Sequence, residues 1–142
     1  MSYVIIKLED RGEDYGYVTF NPSDRTFSGG GTKEDAVRLE AFAHSSDKEA
    51  YYYKVKGTKK EYMDVKTADN SKVKGNQPWG SGKGTTAAWI MIEGKLSTFQ
   101  GGKTTRRFLS RSNKSDNTNQ LYANLTGMAC KVTLERVEEK KS

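Results

Sequence analysis

The chain has 142 residues, a single cysteine and a formal net charge of +6. Its length points to one domain spanning 1–142, and a lone cysteine excludes a disulfide framework. No charged-then-apolar leader opens it and no apolar run is long enough to span a membrane, so the expectation is a cytoplasmic protein, or one exported without a recognisable signal peptide.

The predicted elements are strands. In chain order they are "YVIIKLED" (3–10), "YGYVTF" (15–20), "AVRLEAFA" (36–43), "YYYKVK" (51–56), "EYMDVK" (61–66), "AAWIMIE" (87–93), "RRFLSR" (106–111) and "CKVTLERV" (130–137), with a further strand at 95–100. Each is short, rich in aromatic and β-branched residues, and bounded by Gly, Asn, Asp and Ser. The segment "TKEDAVRLEAFAH" also carries a helix-compatible pattern at Ala36, Leu39, Glu40 and Ala43. It is read as a strand because its counterparts further along the chain read as strands.

Those counterparts come from an internal repeat. "YVTFNPSDRTF" (17–27), "YMDVKTADNSKV" (62–73) and "FLSRSNKSDNTNQL" (108–121) each begin with an aromatic and an aliphatic residue and run into a polar turn. The turns bear Asp24, Asp69 and Asp116, and Asp or Asn there accepts turn N–H groups. A later apolar-x-apolar strand carries Val37/Leu39, Trp89/Met91 or Val132/Leu134, expected to face inward. Three units, about 1–48, 49–94 and 95–142, then hold four strands each. None buries its apolar face alone, and three closing on one another leave no open edge. Twelve strands in this arrangement resemble a β-trefoil, an all-β fold.

The units differ in charge: 6 basic and 9 acidic residues in the first (−3), 8 and 5 in the second (+3), 10 and 4 in the third (+6). The middle unit also has a glycine-rich stretch, "GNQPWGSGKGTT" (75–86). A phosphate-binding P-loop is excluded there: Gln77 stands where the first glycine belongs, and Gly84 where Ser or Thr should follow Lys83. What remains distinctive is Asp64 inside a strand, where the sister units have Thr19 and Ser110, and Trp79 fifteen residues on, in a polar loop that leaves the ring exposed. A carboxylate accepts sugar hydroxyls, an indole stacks on the apolar face of a sugar ring, and the amides of Asn76 and Gln77 complete the polar contacts.

"YMDVKTADNSKVKGNQPW" followed by "AAWIMIE" resembles one repeat of a ricin-type lectin. In that family a second-strand aspartate binds hydroxyls and an aromatic about fifteen residues on stacks against the ring; the resemblance gives those roles to Asp64 and Trp79. The family's closing Gln-x-Trp is Ala87-Ala88-Trp89 here, and Trp89 is expected in the core. The reading is a lectin for mono- or oligosaccharides, monomeric or homodimeric, with no cofactor. It is not an enzyme: His44 has no motif-placed nucleophile, Cys130 reads as a core residue, and neither metal spacing nor a glycosidase-like carboxylate pair is visible. The alternative site is the basic third unit, Lys103, Arg106, Arg107, Arg111 and Lys114, where arginine suits sulfate or phosphate. Its position is similar to the heparin-binding surface of fibroblast growth factors. That reading implies a sulfated, anionic glycan or a protein-interaction role: actin-binding as in fascin-like trefoils, protease-inhibiting or cytokine-like. Nucleic acid is disfavoured, because exposed aromatics are not interleaved with the basic residues.

Overall fold

The computed structural model describes residues 2–44, 49–76, 85–100, 102–112, 114, 118–125 and 129–138. These form no helix, so none is long and apolar enough to cross a membrane. They form fourteen strands: β1 (Ser2–Asp10), β2 (Glu13–Asn21), β3 (Thr26–Gly31), β4 (Leu39–Ala43), β5 (Ala50–Val55), β6 (Tyr62–Lys66), β7 (Ser71–Lys72), β8 (Lys74–Asn76), β9 (Thr85–Thr86), β10 (Ala88–Ile92), β11 (Lys95–Gln100), β12 (Lys103–Ser110), β13 (Tyr122–Asn124) and β14 (Lys131–Glu138). Within 32–44, only Leu39–Ala43 is strand; Val37 is nonetheless buried, its N–H donating to Val18 O.

All pairings are antiparallel, and seven strands close a barrel in the order β1, β2, β3, β8, β6, β5, β4 and back to β1. β14 lies along β1. A second run leaves β5 through β10, β11, β12 and β13 to β7. Closure of this kind removes the unpaired edges that an open sheet would expose.

Fourteen strands stand where twelve are expected, and backbone hydrogen bonding supplies the reason. Val73 splits the third strand of the middle unit into β7 and β8, because its backbone serves a different partnership. Phe27 N–H donates to Val73 O (3.1 Å), Val73 N–H to Leu121 O (2.9 Å), and Leu121 N–H to Phe27 O (3.0 Å). All three residues are fully buried, so this cyclic triangle satisfies groups that would otherwise be costly to bury. The Gln120 amide caps it, donating to Phe27 O (3.0 Å) and Leu121 O (2.8 Å). The other added strand, β9, pairs with Val65 and Lys66 at the end of β6.

The main core cluster includes Ile6, Leu8, Val18, Phe27, Leu39, Tyr53, Met63, Val73, Trp89, Leu96, Leu109 and Leu121, and a smaller one joins Ala50, Ala88 and Phe99. Trp89 sits there as expected, its indole N–H donating to Met63 O at 2.9 Å. Cys130 is buried too, and burial pushes its thiol up to about 12. Met91 and Leu134 depart from the inward expectation. Each is 38% exposed and stands outside the core cluster.

Candidate functional site

The site grows from the alternation of β6. Met63 and Val65 point into the core, so Tyr62, Asp64 and Lys66 occupy the other face. β8 pairs with β6 in the register Tyr62↔Asn76, Met63↔Gly75, Asp64↔Lys74. Asn76 and Lys74 therefore share the outer face with Tyr62 and Asp64, since directly opposed residues lie on one side of a ladder. Lys72 extends that face past Val73, whose side chain is in the core.

Asp64, Lys66, Lys72, Lys74 and Asn76 line an open cleft of about 470 Å³ together with Arg25, Val65, Ser71 and Gly75, while Tyr62 stands outside that lining. Asp64 is 2% exposed, and its Oδ2 accepts a hydrogen bond from Asn76 Nδ2 at 3.0 Å. Two of the four sequence-predicted contacts, Asp64 and Asn76, are thus brought together: the amide orients the carboxylate at the cleft wall. Gln77 and Trp79, the other two predicted sugar contacts, lie outside the described residues, as does Asp116.

The rim is more basic than the motif suggested. Lys66, Lys72 and Lys74 are exposed along it. Arg25 adds a fourth cation, but its Nε donates to Glu61 Oε2 (2.9 Å) and its Nη2 to Gly75 O (2.6 Å). Those bonds hold a residue with φ of +63°, a conformation that costs a non-glycine side chain energy. Gly75 is required where it stands: a Cβ there would meet Glu61 Oε2 at 2.3 Å and the Phe20 ring at 3.0 Å.

Sequence reasoning missed Tyr62, Lys66, Lys72, Lys74 and Arg25. Period-two counting from Asp64 reaches Tyr62 and Lys66. The others come from strand pairing across the barrel, which no local spacing encodes. Tyr62 is half-buried and its ring lies 6.4 Å from that of Phe42, which is 43% exposed, so an aromatic surface adjoins the Asn76 end of the cleft.

The wall carrying Lys66, Ser71 and Lys72 is fastened by the third unit. Arg107 is buried, and its Nη1 donates to the carbonyls of Lys66 (3.4 Å), Thr67 and Ala68 (3.1 Å). Burial lowers its pKa from the ordinary guanidinium value, while the Asp69 carboxylate opposes that shift. Asn124 donates to Asn70 Oδ1 (2.9 Å), and Leu125 N–H to Asp69 Oδ1 (2.7 Å). Among the basic residues of the third unit, Arg107 is therefore committed to the chain's own backbone. Arg111 lies over the Tyr15 ring (4.9 Å) and donates to Thr118 O (3.3 Å). Arg106 lies over the Phe108 ring (5.4 Å), and Lys103 and Lys114 are exposed.

In the residues expected to form the third unit, Ser110 and Asn124 are likewise hydrogen bonded (3.1 Å) and fully buried. There Asn70 and the Arg111 carbonyl occupy the amide of Asn124. In the first unit, Thr19 and Gly31 stand 45 residues before Asp64 and Asn76 and bring no carboxylate or amide. A second cleft of about 720 Å³, lined by Lys7, Glu9, Asp14, Glu93 and Lys131 among others, mixes exposed charges of both signs and has no buried polar side chain in its lining. His44 stacks on Tyr52 (5.5 Å) and meets Phe99 edge-on (5.4 Å).

Among the described residues, fold and site define an all-β barrel protein with a carboxylate–amide cleft under a basic rim. No protein-family model matches the sequence, and no curated protein matches it.

Proposed function

We propose that the protein is a β-trefoil lectin whose principal saccharide site is the cleft on β6 and β8. The trefoil reading draws support from the cyclic triangle: its members, at 27, 73 and 121, are separated by 46 and 48 residues, close to the length of one unit. The polar pairs keep the same step, Asp64 to Ser110 by 46 and Asn76 to Asn124 by 48. Barrel closure and the hairpin before each triangle residue suit a threefold arrangement.

The observation that carries the function is the buried Asp64 carboxylate held by Asn76 at the wall of an open cleft. Keeping a carboxylate almost wholly out of water is costly unless hydrogen bonds compensate. A carboxylate pre-oriented by an amide presents a fixed acceptor to vicinal hydroxyls, and Asn76 offers a mixed donor and acceptor beside it. Trp79 keeps its stacking role from the sequence pattern, and Tyr62 supplies a second aromatic surface. A site with one carboxylate–amide pair binds a single saccharide weakly, so strong attachment needs several copies.

A panel of immobilised saccharides, read with wild type, Asp64→Asn and Trp79→Ala, tests this. Circular dichroism on each variant confirms that it folds. Retention by wild type that drops at least about tenfold in both variants supports the reading, as expected when a hydrogen-bonded contact is removed from a site. An unchanged retention profile in both folded variants overturns it.

A further inference from the structure

The outer face of the β6–β8 ladder has a polarity of its own. At one end Tyr62 opposes Asn76; in the middle Asp64 opposes Lys74; beyond them the same face continues in Lys66 and Lys72. The first end is neutral and hydrogen-bonding. The middle pairs a carboxylate with an ammonium. The far end carries two ammonium groups. Successive positions on one strand face lie about 7 Å apart, roughly the span of a pyranose ring and one substituent.

Nothing about the fold requires this concentration of cations. Val73 fixes the inward position between Lys72 and Lys74, and the two lysines are free to be any polar residue on an exposed face. Neighbouring like charges on one sheet face repel. Arg25 does not share the load: its guanidinium is held by Glu61 and Gly75. Within the cleft lining the three lysines outweigh the Asp64 carboxylate, though Asp24 attracts Lys74 from outside it, and a concave, partly apolar wall strengthens the field they make.

We propose that the saccharide of this cleft is anionic, bearing a carboxylate or a sulfate ester. Asp64 and Asn76 take its ring hydroxyls, and Lys66 and Lys72, with Lys74 between, take its charged group. The inference rests on the lectin reading above and adds the ligand's chemical class. It places the anion contact on the second unit, with lysines absent from the basic cluster of the third.

The test uses hexoses of the gluco and galacto series, each immobilised as the neutral sugar, the 6-sulfate and the uronic acid. Wild type, the triple variant Lys66→Gln/Lys72→Gln/Lys74→Gln, Asp64→Asn, and Lys103→Gln/Arg106→Gln are compared at about 0.05 M and 0.5 M NaCl, either side of the concentration at which screening reaches contact distances. The expected result is preference for a charged form over its neutral parent by about tenfold, reduced by high salt and lost in the triple variant. The sulfate and uronate arms tell which anion is preferred. Equal binding of neutral and charged forms that depends on Asp64 overturns the anionic assignment and leaves the lectin reading standing. Preference lost in Lys103→Gln/Arg106→Gln but kept in the triple variant overturns it as well, moving the anion to the third unit. Retention of none of the sugars by folded wild type overturns both readings.

Discussion

Replacing Arg107 by methionine tests the division of labour between the second and third units. Methionine fills much of the arginine stem's volume and removes the charge. What disappears is the donor set that holds Lys66 O, Thr67 O and Ala68 O, the turn on which one wall of the cleft stands. Hydrogen bonds from a charged donor contribute about 1.5–3 kcal/mol each. One nitrogen here serves three carbonyls at unequal distances, so they count as little more than one bond, and a total of about 3 kcal/mol is expected. Unfolding entropy of about 2 cal/mol/K per residue converts this to a drop in Tm of roughly 10 °C for a chain of this size. Arg107→Lys keeps a charge but not the planar fork, so it should lose less. Urea unfolding followed by fluorescence gives the free energies, with an unchanged slope showing that the midpoint shift is stability alone. A folded Arg107→Met within about 0.5 kcal/mol of wild type would refute the clamp, since that is the range of surface substitutions. An arginine serving only as an anion contact would show that result together with a loss of ligand retention.

Alkaline pH should unfold the protein. Burial raises Cys130 from 9.0 to about 12 and Tyr53 from 10.0 to about 12. Both groups hold their protons more tightly when folded, so the contribution is complete below pH 9 and is lost as pH rises toward 12. At about 1.4 kcal/mol per pH unit, the three units of Cys130 and the two of Tyr53 withdraw on the order of 7 kcal/mol by pH 12. Urea midpoints measured from pH 8 to 11.5 should fall steadily, and Cys130→Ala should delay the onset from pH 9 to pH 10; midpoints flat to pH 11 would contradict the buried placement. Gln120→Leu removes the amide from the triangle of carbonyls and should cost about 1–2 kcal/mol. Gln120→Glu should cost more at pH 7, since it sets a carboxylate against those oxygens, and the reverse ranking in chemical unfolding would show that the amide does not cap the triangle.

How much of this was legible in the sequence depends on the range of the interaction. Strand alternation is local, so the strand read at "EYMDVK" (61–66) lies one residue from the observed β6 (62–66), while the inward placing of Met63 and Val65 comes from the structure. The placing of Trp89 and Cys130 in the core follows from the same parity. The splitting of β7 from β8 was hidden, because it arises when Val73 turns its backbone toward Phe27 and Leu121, residues 46 and 48 positions away. Arg107 shows the same limit. Its charge suggested a ligand, whereas tertiary packing turned it toward carbonyls about forty residues earlier.

The same contrast explains why one cleft stays open while its counterpart is filled. In the third unit, Asn124 has the place of Asn76, but the turn of the second unit reaches it through Asn70 and takes its amide. Asn70 itself has φ of +55°, a conformation asparagine tolerates better than most side chains, and that geometry lets the turn point toward β13. Asn76 has a different neighbour in the corresponding direction: Arg25, whose guanidinium bonds the Gly75 carbonyl and Glu61 rather than the Asn76 amide. The neighbouring unit therefore braces the backbone beside Asn76 and leaves its side chain to Asp64 and the cleft. A turn residue that reaches the amide closes the position at Asn124; one that stops at the backbone leaves Asn76 on the cleft.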